Sequence, residues 1–215
     1  MSRNQSAPGL IVFEGVDGAG KGVQSRALYA AMQSAGYKVL LTREPGGSES
    51  AEEIRKLLVE GDTDRWDDIS ELLLIYAARR SHLQETILPN LSKGCWVISD
   101  RFADSSRAFQ GVAGGLGLEL VEQVHRIVVG DFKPVLTFVL DIDPSVSLQR
   151  AAQRGGSEDR FEQKGLRYQQ KVREGFLQLA AASPATHALI DGGREIKEVQ
   201  AEITDVLYQR LGLRV

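Results

Sequence analysis

The stretch that most constrains this chain runs from Leu10 to Gly22. Leu10–Glu14 reads LIVFE, apolar up to its last residue, and passes directly into Gly15-Val16-Asp17-Gly18-Ala19-Gly20-Lys21-Gly22. Apolar residues then recur at Val23, Ala27, Leu28, Ala31 and Met32, the three- and four-residue spacing of a helix, and the pattern stops at Gly36. A strand, a G-x-x-x-x-G-K loop and a helix therefore follow one another without a break. Glycines let successive backbone N–H groups curl around an anion, and the helix behind them presents its positive end to it. Lys21 adds a positive charge on a long stem that reaches terminal phosphates.

Four more short apolar segments read as strands: Lys38–Thr42, Trp96–Asp100, Leu136–Asp141 and Ala188–Asp191. They are apolar almost throughout rather than alternating, as parallel strands covered on both faces are. Helices are expected between them: one from Asp67 or Asp68 through Leu72–Tyr76 towards Pro89, then Leu118–Val129, Pro144–Arg154, Gln163–Ala182 and Glu195–Leu211. Strand alternating with helix implies right-handed crossovers and an α/β fold, a doubly wound five-stranded parallel sheet with surrounding helices. With no long linker and no repeat, 1–215 is expected to be a single domain. Ligands of such sheets bind beyond the carboxyl ends of the strands.

Composition narrows the partners. The 215 residues carry a formal net charge of −3, which argues against nucleic acid or an anionic membrane as a bulk partner. The polar start of the chain lacks the apolar core of a secretory signal, and no apolar run is long enough to span a bilayer. The lone Cys95 has no partner for an internal disulfide and is expected to pack as a small hydrophobe. A reducing, cytoplasmic setting fits. His82, His125 and His187 are too widely spaced to suggest a metal centre and read as structural or surface residues.

At strand ends the chain places arginines. Arg43 follows Lys38–Thr42 and Arg101 follows Trp96–Asp100, on strands that could flank the first. Two guanidiniums there can grip a phosphate with bidentate hydrogen bonds. Asp100 closes its strand as a metal-ordering aspartate does. Asp141 also closes one, but Ile142-Asp143-Pro144 after it looks like a capped helix start. The phosphate loop lacks its usual final Ser or Thr, for Gly22 stands there; Gly-Lys-Gly followed by Gln24 resembles the adenylate and uridylate–cytidylate kinases.

Longer strings resemble a specific family. Ile11-Val12-Phe13-Glu14-Gly15-Val16-Asp17, Leu41-Thr42-Arg43-Glu44-Pro45-Gly46-Gly47, Tyr76-Ala77-Ala78-Arg79, Ser99-Asp100-Arg101-Phe102, Ser105-Ser106 with Ala108-Phe109-Gln110, and Asp159-Arg160-Phe161-Glu162 appear in the order found in thymidylate kinases. That resemblance implies a P-loop kinase that transfers the γ-phosphoryl of ATP to dTMP with Mg²⁺ as cofactor. It implies ATP binding by Gly15, Val16, Asp17, Gly18, Ala19, Gly20, Lys21 and Gly22. For the acceptor it implies Asp17 at the 3′-hydroxyl, Arg43 and Arg101 at the monophosphate, Arg79 and Ser106 at the base, Phe109 beside the sugar, and Gln110 as a further substrate-binding residue. Phe109 would exclude a ribose 2′-hydroxyl. Asp100 and Asp17 would hold the metal, the latter through water. It further implies a cis Glu44–Pro45 bond and a homodimer formed by helices packed side to side.

Arg150, Arg154 and Arg160 bracket Gly155-Gly156-Ser157-Glu158. They read as a small lid, roughly 150–162, that closes arginines over the transferring group. Some family members carry a loop arginine where this chain has Gly18, so the lid is the natural source of that charge. Lys21, Arg101, Arg154 and Arg160 are the expected catalytic set. Where the family has a base-stacking phenylalanine this chain has Ile75, which keeps open another acceptor such as dUMP unless Tyr76 turns into the site. Gly22 keeps open a nucleotide-binding member with impaired catalysis. A GTPase-like switch lacks support, because no N-K-x-D string occurs.

Overall fold

The computed structural model describes residues 7–62, 64–154 and 164–215, with the backbone alone for 151–154. Five parallel strands, β1 Leu10–Glu14, β2 Val39–Arg43, β3 Trp96–Asp100, β4 Leu136–Asp141 and β5 His187–Asp191, form one sheet in the order β2-β3-β1-β4-β5. β1 lies at the centre, its Phe13 level with Asp100 of β3 and Phe138 of β4. The expected doubly wound parallel sheet is therefore present. β3 and β4 flank β1, whereas β2 lies one strand farther out, so only Arg101 stands beside the loop strand. β2 and β5 are also displaced from their expected limits, making Arg43 the last residue of its strand.

All five residues of β1 are buried because each face of the sheet carries its own core. Ile11 and Phe13 face one side with Phe138, Leu28 and Met32 of α1 (Lys21–Ser34), and Phe176 of α8 (Leu166–Ala182). Leu10 and Val12 face the other, against Val97 and against Leu72 and Tyr76 of α3 (Asp68–His82). Burying one such side chain contributes roughly 1.5–3 kcal/mol. α9 (Ile196–Leu211) closes the first core and α6 (Leu118–Val128) the second.

Several helices depart from expectation. α2 (Glu49–Val59) was not anticipated; it buries Ala51, Leu58 and Val59. Asp67 does cap α3, its Oδ1 accepting from Ile69 N and Ser70 N. The expected continuous run towards Pro89 is broken by a π-helical turn, Leu83–Ile87, before the short α4 (Leu88–Ser92). Pro89 has no N–H to donate and its ring crowds the carbonyl four residues back, which gives a local reason for the break. After β3 the chain forms α5 (Ala103–Ser106) and a second π-helical turn, Arg107–Ala113. α7 spans Pro144–Arg154 as expected. The glycine-rich stretch 155–158 lies outside the described residues. Among the described residues no helix is long and apolar enough to cross a membrane.

Candidate active site

β1 ends in a loop that requires glycine at two positions. Gly15 has φ 137°, and a Cβ there would stand 2.5 Å from the Leu140 carbonyl oxygen; at Gly18 (φ 81°) it would stand 2.1 Å from that of Ser147. The loop is thus pressed against β4 and α7 while its other side faces a cavity of about 730 Å³. Lys21 projects from the first turn of α1 and donates to the carbonyls of Gly15 (3.1 Å) and Val16 (2.7 Å). Burial, with the Arg101 cation nearby, lowers its ammonium to about 8. An anion entering the cavity relieves that stress, so phosphate and the Lys21 charge stabilise each other.

β3 delivers Asp100 and Arg101 to the same cavity. Arg101 is the one non-glycine residue with positive φ (75°) among the described residues. Its backbone N–H donates to Phe13 O, and its side chain turns back across the loop. Nη1 donates to Gly15 O and Ser105 Oγ, both at 2.9 Å, and Nη2 to Asp17 Oδ1, while the guanidinium lies 4.9 Å from the centre of the Phe109 ring. Burial opposes the charge, but Asp17, Asp100 and Glu14 outweigh it and keep Arg101 protonated. Asp141, the other strand-end aspartate, is gripped by Arg173 at 2.6 and 2.8 Å and does not line this cavity.

Glu14 was not foreseen as a site residue. Fully buried, it accepts from Phe102 N (2.8 Å), Ser105 N (3.1 Å) and Ser105 Oγ (2.6 Å), and so ties the start of α5 to the end of β1. Burial raises its carboxyl to about 7, with Asp104 adding to the effect. Glu44 was also missed. It accepts from Arg79 Nε at 2.7 Å and pairs with His82 Nδ1 at 2.9 Å, and the other His82 nitrogen meets Thr42 Oγ1 at 2.7 Å. Burial opposes Glu44's ionisation, but Arg79 and His82 prevail and hold its pKa low. His82 is therefore the interior end of a chain that fixes Arg79.

Arg79 is 2 % exposed, yet it lines the cavity. Nη1 donates to Ser106 Oγ and Nη2 to Phe102 O, each at 2.9 Å, and the guanidinium stacks over the Tyr76 ring at 4.6 Å. Tyr76 itself is buried in the second core and does not turn into the cavity; Ile75 does line it. Ser106, Phe109 and Gln110 line the same side, with Gln110 Nε2 bonded to Glu71 at 2.9 Å. Arg43 reaches the rim, half exposed and paired with Glu52 at 3.1 Å. The Glu44–Pro45 bond between them is cis.

Arg150 also lines the cavity and donates to Gly192 O at 3.2 Å. The side chain of Arg154 and all of Arg160 lie outside the described residues. Arg26 and Arg55 face the cavity without having been foreseen, each on a helix where sequence alone suggests a solvated face. The net result is a strongly cationic basin in an acidic chain: Lys21, Arg26, Arg43, Arg55, Arg79, Arg101, Arg150 and Arg194 face Asp17, Glu44, Asp100 and Glu195. Such a basin selects a polyanion.

Comparison with known proteins agrees with this geometry. The thymidylate kinase family model matches residues 13–203. A thymidylate kinase from Ruegeria pomeroyi is 48 % identical over 207 residues, covering 96 % of this chain and 98 % of the relative. One from Caulobacter vibrioides is 48 % identical over 204 residues, covering 95 % and 98 %. The crystal structure of thymidylate kinase from Ehrlichia chaffeensis superposes with a TM-score of 0.76 at 32 % identity, covering 94 % of this chain and 100 % of that one. A loop, a sheet order and a cationic cavity that meet the needs of phosphoryl transfer thus coincide with similarity along nearly the whole sequence, and the chain belongs to the thymidylate kinase family.

Proposed function

We propose that this chain transfers the γ-phosphoryl group of ATP to dTMP, giving ADP and dTDP. An oxygen of the dTMP phosphate forms a bond to the γ-phosphorus, and the bond to the bridging oxygen breaks with its electron pair leaving on ADP. The observation that carries the reading is one cavity lined both by the phosphate loop and, across from it, by Arg43 and Arg101. Two phosphate-binding halves facing each other serve a transfer, whereas a switch needs only one.

The protein contributes position and charge rather than a covalent intermediate. Gly15–Gly22 and Lys21 hold the donor phosphates. Arg101, braced on Phe109, Ser105 and Asp17, bridges the loop and the acceptor phosphate, and Arg43 holds that phosphate from the rim. Arg79 and Ser106 address the base, Asp17 the sugar and Phe109 its 2′ side, with Gln110 lining the same acceptor pocket. The Asp100 carboxylate faces the loop, its Oδ2 3.4 Å from where a Cβ at residue 22 would stand, which suits a cation shared with the phosphates. Mg²⁺ held there by Asp100, and by Asp17 through water, would neutralise charge building up between donor and acceptor.

The same reading takes the chain as one kinase domain with 150–162 as its lid, bringing Arg154 and Arg160 to the transferring group. A homodimer fits the exposed Ile69 and Leu73 on α3 and Ile127 on the adjacent α6, and a cytoplasmic setting fits the single cysteine. The test is a coupled assay of ADP release with a panel of monophosphates, with and without Mg²⁺. The highest kcat/KM for dTMP, lost without the metal, is the expected result; preference for dUMP or dGMP overturns the acceptor assignment.

A further inference from the structure

Position 22 is where a phosphate loop ordinarily carries a hydroxyl, and here it is Gly22. Its backbone is helical with no positive φ, so conformation does not call for glycine. The space beside it is occupied instead. A Cβ on residue 22 would stand 3.2 Å from Arg26 Nη1 and 3.4 Å from Asp100 Oδ2. Arg26 lies one turn later on α1, and helical side chains lean back towards the N-terminus. Its solvent-exposed guanidinium therefore reaches over Gly22 into the cavity that Asp17, Lys21, Asp100 and Arg101 line.

We propose that Arg26 is a further phosphate-binding residue, its guanidinium filling the slot left open by Gly22 and contacting phosphate oxygens of the bound nucleoside triphosphate. The inference rests on the phosphoryl-transfer reading and names a residue that reading does not use. The planar guanidinium offers two parallel N–H donors to a pair of phosphate oxygens, which a hydroxyl at residue 22 cannot do. It also supplies charge close to the loop, where Gly18 supplies none. A larger residue at position 22 would push the guanidinium away, so Gly22 and Arg26 act as a pair.

The experiment measures ATP affinity by isothermal titration without added Mg²⁺, and steady-state kinetics with dTMP, for wild type, Arg26→Ala, Arg26→Lys, Gly22→Ser and the double variant G22S/R26A. Arg26→Ala is expected to weaken ATP about tenfold and lower kcat about tenfold or more, with KM for dTMP changed less than threefold. Arg26→Lys recovers part of the loss. In the Gly22→Ser background the same Arg26→Ala change is expected to have under about threefold effect, because the guanidinium has already been displaced. Unchanged ATP affinity and kcat in Arg26→Ala overturn the proposal, including the case in which only thermal stability falls and Arg26 serves Asp100 as a counter-ion. Multiplicative effects in the double variant overturn the pairing with Gly22. A wild type inactive towards dTMP would count against the acceptor reading alone, since the ATP affinities still decide the role of Arg26.

Discussion

Arg101 stands with φ 75° at the end of β3, and that geometry can be weighed separately from its charge. Arg101→Ala and Arg101→Gly both delete the guanidinium and its bonds to Gly15 O, Ser105 Oγ and Asp17. They differ by one methyl group, whose main effect at this φ is on backbone freedom. The left-handed region costs an L-residue about 1–2 kcal/mol, and glycine escapes that cost. Glycine in turn loses about 0.5–1 kcal/mol more conformational freedom on folding. The glycine variant should therefore be the more stable of the two by about 0.5–1 kcal/mol, a difference in melting temperature of about 1–4 °C for a chain of 215 residues. Elsewhere in a strand the order would be reversed. Both variants should lose dTMP binding by about tenfold to a hundredfold, since a charge-assisted hydrogen bond at a desolvated site is worth about 1.5–3 kcal/mol. Urea and thermal unfolding measure the first effect, and titration with dTMP the second. An alanine variant as stable as the glycine variant would refute the claim that the bend at Arg101 is strained. A glycine variant that keeps its dTMP affinity would refute the role of the guanidinium.

Three further outcomes follow from named contacts. Lys21→Ala should abolish transfer with unfolding hardly changed, because its ammonium is buried at a cost and, among the described residues, bonded only to loop carbonyls; a variant retaining most of its turnover would remove Lys21 from the mechanism. Ile75→Phe should tighten dTMP by up to about 1 kcal/mol, since Ile75 lines the cavity while Tyr76 is buried elsewhere, and an equal change for dGMP would show that the ring does not meet the thymine. Glu14 should make folding pH-dependent. Its carboxyl is raised from 4.5 to about 7 on folding, so between those values the folded chain keeps a proton that the unfolded chain has released. Stability from this group is full below about pH 4.5 and declines as pH rises through 7. Glu14→Gln should flatten that slope in pH-dependent urea unfolding, and an unaltered slope would assign it to another group.

Features that rest on neighbours along the chain were legible before any fold was known. The run LIVFE, the glycines after it and the helical spacing from Val23 to Met32 specify the strand, loop and helix of the phosphate site, because backbone curvature and helix direction are local properties. The five strands and their parallel character were legible for the same reason, each being an apolar run short enough to cross a covered sheet once. α2 also carried a local signal, with Ala51, Ile54 and Leu58 at three- and four-residue spacing, but charged residues between them mask it. Which polar groups meet, by contrast, is set by the packing of elements distant along the chain. Glu44 lies 35 residues from Arg79 and 38 from His82, and Glu14 lies 91 residues from Ser105; nothing local announces these pairs. An arginine on a helix and a glutamate at a strand end ordinarily face water. They are buried here because the order β2-β3-β1 sets those strand ends side by side and α3 packs against them, and a buried charge persists only where a partner of opposite sign or a set of donors awaits it. Arg26 makes the same point at the cavity, for whether its guanidinium meets solvent alone or phosphate depends on the bare backbone of Gly22 and on Asp100, brought from 78 residues away by the pairing of β3 with β1.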